Sequence, residues 1–534
     1  MKKTLLLLAF SFYFLLSAAQ QPGDLVLLYE NDVHCALHGY PVIAGLRDSL
    51  QRRGCTVGII SEGDFSFGGA MGSASKGLYI IRLMNAVGYD AVCLGNHEFD
   101  MGIPHLRLMD SLLRAPMLSC NFRSSLTGKP PMLPYVMRRY GDRKVAFVGV
   151  STPSTIASTS PVHFQDTAGR FVYNFSPNNL AATVQQWVDA ARAAGADYVV
   201  LMSHLGDEEG EQTSTRLIPQ LHGVDVVLDG HDHHVIRQRM LTDLHGNPVP
   251  LSSTGTQFQY IGVLTIPQGK GEVSTRLLLT DSLVNNGCVN PAVRDTLAAI
   301  NREYELSGNR TVATNDYFLE AYDREHDLRV VRLRETNLGN LVSDAFREVL
   351  KADIGWVNSG SMRDNFNPPV ITRNDLLAVV PFLNNARLAE VSGQDILDAL
   401  ETAVKGWPIA EGGFPQVSGL RFRFDSTVAT SVVLDSNGIF VRVSGARRVS
   451  HVQVLRNGAY EPLDPAARYT VASSDYVLLF GGDGIQFPSR HLLPMPEGLP
   501  SVITDLDLVE RYLVDILGGV IPSRYSRPEG RMAF

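Results

Sequence analysis

Short apolar runs recur through the N-terminal half of the chain, and each breaks off abruptly into polar or ionisable residues. Leu25 to Tyr29 gives way to Asn31-Asp32-Val33-His34, and Val57 to Ile60 to Ser61-Glu62-Gly63-Asp64. Ala91 to Leu94 stops at Gly95 and is followed by Asn96-His97-Glu98 and then Asp100. Tyr198 to Met202 ends in Ser203-His204, and Val224 to Leu228 ends in Asp229-Gly230-His231-Asp232-His233-His234. Unbroken apolar runs of this length predict strands covered on both faces. Val145 to Val150 and Gly262 to Ile266 read as further strands that end without such residues. Apolar residues near helical spacing predict helices over Val42 to Arg52, Tyr79 to Ala86, Leu106 to Leu113 and Leu180 to Ala194. Strands alternating with helices predict an α/β domain.

The pattern changes after Cys288. Val293, Leu297 and Ile300 place a helix over Pro291 to Glu305, and the polar stretch from Ser307 to Thr311 follows it, as in a linker leading out of a domain. A second globular region begins near Tyr317. An amphipathic helix is expected from the Arg334-Glu-Thr-Asn-Leu-Gly-Asn-Leu341 segment through Leu350. Ile354 to Arg363 then reads as a strand opening into a loop of small residues that ends on arginine. The 534 residues exceed what one core holds. The expected division is a leader at 1–19, a first domain at 20–288, a linker helix at 289–316 and a second domain at 317–534.

Lys2 and Lys3, the apolar run Leu5 to Leu16 and Ser17-Ala18-Ala19 have the three parts of a secretory signal peptide, with cleavage expected after Ala19. The run is short for a bilayer span. No cysteine stands near the cleavage point to take a lipid, and the last residues, Pro528 to Phe534, carry no hydrophobic tail of the kind exchanged for an anchor. An exported, periplasmic or secreted protein without a membrane anchor is expected. Losing the two leader lysines takes the net charge from −8 to −10. That balance argues against nucleic acid or an anionic membrane as the main partner. An anionic substrate would then need local positive charge, from metal ions or clustered arginines. The five cysteines are widely spaced with no CxxC, so the sequence fixes no disulfide pairing, and it fixes no oligomeric state either.

Five strand ends therefore present Asp32, His34, Asp64, Asn96, His97, His204, His231 and His233. Carboxylate, amide and imidazole together suit zinc, manganese or iron rather than calcium or magnesium, and the lack of thiolates excludes a structural zinc cage. So many ligands exceed one tetrahedral ion. Two divalent ions about 3.5–4 Å apart, bridged by one carboxylate, would use them, and such a pair favours attack of water on a phosphate ester. His97 need not be a ligand: with Asp100 three residues on to orient it, it could stabilise the leaving group. Glu98 reads as a structural hydrogen-bond acceptor, Asp207-Glu208-Glu209 as a solvated acidic turn, and His38, His105, His163, His222 and His234 as surface or packing histidines.

NDVH, GD, GNHEFD, SHLG and GHDHH, in this order, resemble the calcineurin-like metallophosphoesterases of the secreted 5′-nucleotidase/UDP-sugar hydrolase family. The resemblance implies a metallophosphoesterase β-sandwich of four-layer type flanked by helices, followed by an α+β nucleotide-binding domain. By that likeness Asp32, His34, Asp64 and His233 hold one ion and Asp64, Asn96, His204 and His231 the other, with His97 and Asp100 as the catalytic dyad. Cys35 stands where a glycine is usual. In the second domain, Arg334 and Arg363 would face the anionic end of a nucleotide and Phe382 would stack on its base. Asn358 and Asn384 would add polar contacts, and Asp483 would accept hydrogen bonds from ribose hydroxyls. Where the family carries a second aromatic before GGDG, this chain has Val477, with Tyr476 one step away. Either Tyr476 completes a base sandwich or stacking is one-sided. The activity implied is hydrolysis of nucleoside 5′-monophosphates. The same metals in a differently shaped site would serve 2′,3′-cyclic nucleotides or nucleotide sugars, and a non-catalytic nucleotide or metal binder is the remote alternative.

Overall fold

The computed structural model describes residues 20–533 except 167, 177, 209–211, 270–271, 307–309 and 327. The leader at 1–19, Glu209 of the acidic turn and residues 307–309 of the linker lie outside the described residues. The chain divides into two compact units. One runs to Phe67 and then takes Ser75–Thr155 and His163–Tyr304; the other gathers Gly68–Ala74, Ile156–Val162 and the chain from Glu305 on. Among the described residues no helix is long and apolar enough to cross a membrane.

Twelve strands make up the two large sheets of the first unit, β1 (Leu25–Glu30), β2 (Thr56–Ser61), β3 (Ala91–Cys93), β4 (Met117–Leu118), β5 (Tyr135–Tyr140), β6 (Arg143–Ser151), β7 (Tyr198–His204), β8 (Val226–Leu228), β9 (Val235–Thr242), β10 (Pro248–Thr254), β11 (Tyr260–Ile266) and β12 (Ser274–Leu279). They form two six-stranded sheets, ordered β12-β11-β1-β2-β3-β4 and β9-β10-β8-β7-β6-β5. Period-two packing explains why the central strands are apolar throughout. Val145 and Phe147 of β6 join Val200 and Met202 of β7, and Leu25, Leu27 and Tyr29 of β1, in the core between the sheets. The intervening Ala146, Val148, Val199 and Leu201 pack outward against Val184 and Val188 of the helix Leu180–Ala193. Each such buried Val or Leu contributes about 1.5–3 kcal/mol.

Five of these strands, β4, β5, β9, β10 and β12, are not among those the apolar runs predict. β9 is exposed almost throughout and edges its sheet, so no buried face imposes a period on it. The strands that carry the polar motifs fall into both sheets: β1, β2 and β3 in one, β7 and β8 in the other.

In the second unit, strands β13 (Ile354–Asn358), β14 (Ala386–Ser392), β15 (Pro415–Ser418), β19 (Arg468–Ser474) and β20 (His491–Leu492) form one sheet in the order β15-β13-β19-β14-β20. A second sheet runs β18-β17-β16-β21, from Ala459–Pro462, Val449–Arg456, Leu420–Phe424 and Met532–Ala533 respectively. The helix Asn337–Val349 is buried along most of its length, and its N-cap Thr336 accepts from the Gly339 amide at 3.0 Å.

Candidate active site

Strands β1 and β2 run parallel in register from Leu25↔Thr56 to Glu30↔Ser61, and backbone pairing continues beyond them. The amide of Asp32 donates to Gly63 O at 3.0 Å and that of His34 to Asp64 O at 2.9 Å, so the two acidic loops are laced together. Asp32, His34, Asp64, His231 and His233 all have positive φ, between 44° and 88°. Left-handed backbone at non-glycine residues is strained and clusters at functional sites. Room for this comes from Gly95, where a Cβ would fall 2.2 Å from Asp64 Oδ1.

The side chains converge. Ligand atoms of Asp32, His34 and His233 lie within 4.8 Å of one another, as do those of Asp64, His204 and His231, and those of His34, Asp64 and His97. His204 Nε2 is 3.2 Å from Asp64 Oδ2 and 3.9 Å from Asp32 Oδ1, and His233 Nε2 is 3.4 Å from Asp32 Oδ1. Each carboxylate has one oxygen tied down. Asp32 Oδ2 accepts from Asn31 Nδ2 and the His231 amide, both at 2.8 Å, and Asp64 Oδ1 accepts from the His97 amide at 2.8 Å. Two imidazoles are oriented likewise, His34 Nδ1 on Phe67 O at 2.9 Å and His204 Nδ1 on Glu62 O at 2.7 Å, which leaves their Nε2 lone pairs facing the cluster.

This donor set fits divalent cations. Asp32 Oδ1, Asn96 Oδ1 and His204 Nε2 are buried without a hydrogen-bond partner, which is costly unless something positive meets them. His34 Nε2 and His233 Nε2 face each other at 2.9 Å, an arrangement that requires a proton or a cation between two lone pairs. Against the burial penalty, His204 and His233 hold the Asp32 carboxyl well below the usual range, and His204 and His97 do the same for Asp64. Burial opposes protonation of His204, yet Asp64 and Asp32 carry it up to about 10.

His97 Nδ1 meets Asp100 Oδ2 at 2.6 Å. Glu98 collects donors: Asp64 N, Phe65 N, Ser66 N, Gly95 N and the Ser66 hydroxyl all point at its two oxygens, at 2.9–3.2 Å. Cys35 is buried, with its Sγ on Ser66 O at 3.1 Å. The acidic turn differs from expectation. Asp207 is buried and pairs with His234 Nδ1 at 2.7 Å, while its own amide donates to Asp232. His234, the residue immediately after His233, supplies the counter-charge that lets this carboxylate leave water.

In the second unit Asn358 Nδ2 donates to Asp483 Oδ2 at 3.0 Å, and the Arg363 guanidinium lies over the Phe382 ring at 5.0 Å. Asn384 is engaged with Asp505, its carbonyl accepting from the Asp505 amide at 2.8 Å. Arg334 is exposed and pairs with Glu320 at 2.8 Å. Burial raises the Asp483 carboxyl, and Lys405 and Arg332 pull it back down. Sequence reading passed over those two cations, because a lone Lys405 and an arginine two residues before Arg334 carry no pattern of their own. Val477 is in the core, and Tyr476 is half-buried beside it.

Residues 28–235 match the family described as calcineurin-like phosphoesterase, and residues 311–490 match the 5′-nucleotidase C-terminal domain. The chain is 25% identical over 548 residues to a 5′-nucleotidase of Vibrio parahaemolyticus, covering 92% of this chain and 89% of that protein. It is 26% identical over 587 residues to the 5′-nucleotidase of Rattus norvegicus, covering 99% and 94% respectively. Among solved structures, the 5′-nucleotidase precursor of Thermus thermophilus shares the fold with a TM-score of 0.78 at 24% identity, over 96% of this chain and 99% of that one.

Proposed function

Since the chain belongs to the calcineurin-like phosphoesterases that carry a 5′-nucleotidase C-terminal domain, we propose that it hydrolyses nucleoside 5′-monophosphates to nucleoside and phosphate. The observation that carries this is the convergence of Asp32, His34, Asp64, His204, His231 and His233 around buried acceptor atoms that lack hydrogen bonds. Asp32, His34, Asp64 and His233 would hold one divalent ion, and Asp64, Asn96, His204 and His231 a second, with zinc or manganese the best match to the donors. Such ions supply positive charge to the ester and lower the pKa of water.

The protein's own groups do the rest. Asp100 fixes a proton on His97 Nδ1, so an additional proton on Nε2 makes an imidazolium that stabilises the departing ribose oxygen. Glu98 keeps Asp64 in place through the backbone around it. In the second unit, Phe382 offers an aromatic face to the base, and Asp483 and Asn358 offer polar atoms to the sugar. Arg363 and Arg334 supply positive charge, and Asn384 a further polar contact. Export behind the leader at 1–19 completes the reading, and the intact mass of the protein recovered from cells checks it.

The deciding experiment is phosphate release from AMP, UMP, UDP-glucose and 2′,3′-cyclic AMP by metal-loaded protein. Release from AMP and UMP is expected. Turnover of the cyclic nucleotide or the nucleotide sugar alone would replace this reading with a phosphodiesterase or a nucleotide-sugar hydrolase.

A further inference from the structure

Asp483 is held on several sides. Its φ is 56°, and a Cβ on neighbouring Gly413 would come within 2.9 Å of its Cβ. Asn358 donates to Oδ2 at 3.0 Å, and the Asp483 amide donates to the Tyr476 hydroxyl at 3.1 Å. That hydroxyl in turn donates to Ala157 O at 3.2 Å, and the tyrosine ring lies so close to Gly482 that a Cβ there would meet it at 2.2 Å. Tyr476 thus spends its hydroxyl as both acceptor and donor and its ring against a backbone. Val477, the neighbour in the position of the family's second aromatic, packs in the core with Val417, Ile485 and Phe487. Of the two aromatics considered for the base, Phe382 then remains, and the Arg363 guanidinium lies over its ring.

We propose that Tyr476 is a positioning residue rather than a second stacking aromatic. It fixes Asp483 for the vicinal hydroxyls of the sugar, so the protein selects its substrate at the ribose and tolerates any base. This rests on the nucleotidase reading and deepens it. Stacking on one face is tolerant because every base has a π-face. A carboxylate held by its neighbours, by contrast, loses a partner it cannot replace when a hydroxyl is missing.

The test is kcat/KM for AMP, UMP and 2′-deoxy-AMP on metal-loaded wild type and Tyr476→Phe. In wild type, AMP and UMP should agree within about threefold, and AMP should exceed 2′-deoxy-AMP by about tenfold or more. Tyr476→Phe keeps the ring and removes both hydroxyl bonds, so the sugar ratio should collapse to within about threefold while the base ratio stays where it was. A ratio of two substrates on one sample is independent of the folded fraction, so partial misfolding cannot imitate the result. An intact sugar ratio in Tyr476→Phe, or a wild-type preference between AMP and UMP above about tenfold, overturns the proposal. Release of phosphate from 4-nitrophenyl phosphate with none from the three nucleotides would show that the nucleotidase reading itself had failed.

Discussion

His97 can be separated from the proposed ligands around it by chemistry. Its Nδ1 is committed to Asp100, and the proposed role of its ring is to steady a leaving oxygen. His97→Ala should therefore lower kcat by about 10²–10⁴-fold with bound metal unchanged. Metal analysis alongside steady-state kinetics checks this, and loss of metal in the variant would make His97 a ligand instead. Asp505 is a different sort of residue, buried at the start of the helix Asp505–Arg511 in the second unit. Burial pushes its carboxyl up to about 7, the Asp475 charge adds to this, and the Leu506 and Asn384 hydrogen bonds oppose it. The folded state then keeps a proton that the unfolded chain has lost. Its contribution to stability falls by about 1.4 kcal/mol per pH unit as pH climbs from about 4 to about 7, and is flat above that. Urea midpoints of wild type should drop across that window relative to Asp505→Asn. Parallel curves for the two proteins would rule the shift out.

At the level of elements, the centre depends on loops locked to the ends of β1, β2 and β3 more than on any one side chain. Gly95 ends the third of these runs, and Gly95→Ala would drive a methyl group to 2.2 Å from Asp64 Oδ1 and 2.6 Å from its amide nitrogen. Asp64 serves both proposed ions, so affinity for divalent cations should fall by about 10–100-fold in that variant, measured by competition with a chelating dye. Wild-type affinity there would mean that Asp64 is not a ligand. The same elements explain what could be read in advance. The central strands announced themselves because both faces are buried, which leaves an unbroken apolar run to find. β9 left none, because it lies exposed on an edge. The second unit's small four-stranded sheet was equally silent: Leu420–Phe424 alternates in burial, and Val449–Arg456 mixes exposed and buried residues.

For the whole molecule, the net charge of −8 repels an anionic substrate, and cations in the first unit would reverse that field locally. Removing them with a chelator should abolish phosphate release, and restoring them should raise the thermal midpoint, since a ligand at a hundred times its Kd adds about 2.7 kcal/mol. The pH dependence has a definite sign. Without metal, His204 carries a proton up to about 10, above its unfolded value, so its ion pairs with Asp64 and Asp32 stabilise fully below about 6.5 and fade as pH rises through about 10. A cation must displace that proton, so its affinity moves the opposite way. The metal-induced rise in midpoint should be larger near pH 8.5 than near pH 6. An equal rise at both would mean that His204 surrenders no proton on binding.

The sequence by itself determined which side chains are available and where along the chain they stand, because a strand that ends in a run of donors writes both facts locally. It also marked Glu98 as a structural hydrogen-bond acceptor, and four amides and a hydroxyl meet its oxygens. Only the tertiary structure decided who meets whom. His34 and His233 are 199 residues apart, yet their Nε2 atoms sit 2.9 Å from each other, because two sheets bring separate strand ends together and no local pattern records that. The same holds for the direction of a side chain one step along a short helix. Val477 is buried in the cluster that holds Val417, Ile485 and Phe487, while Tyr476 packs against that cluster only half-buried, and packing of that kind is a property of the assembled fold.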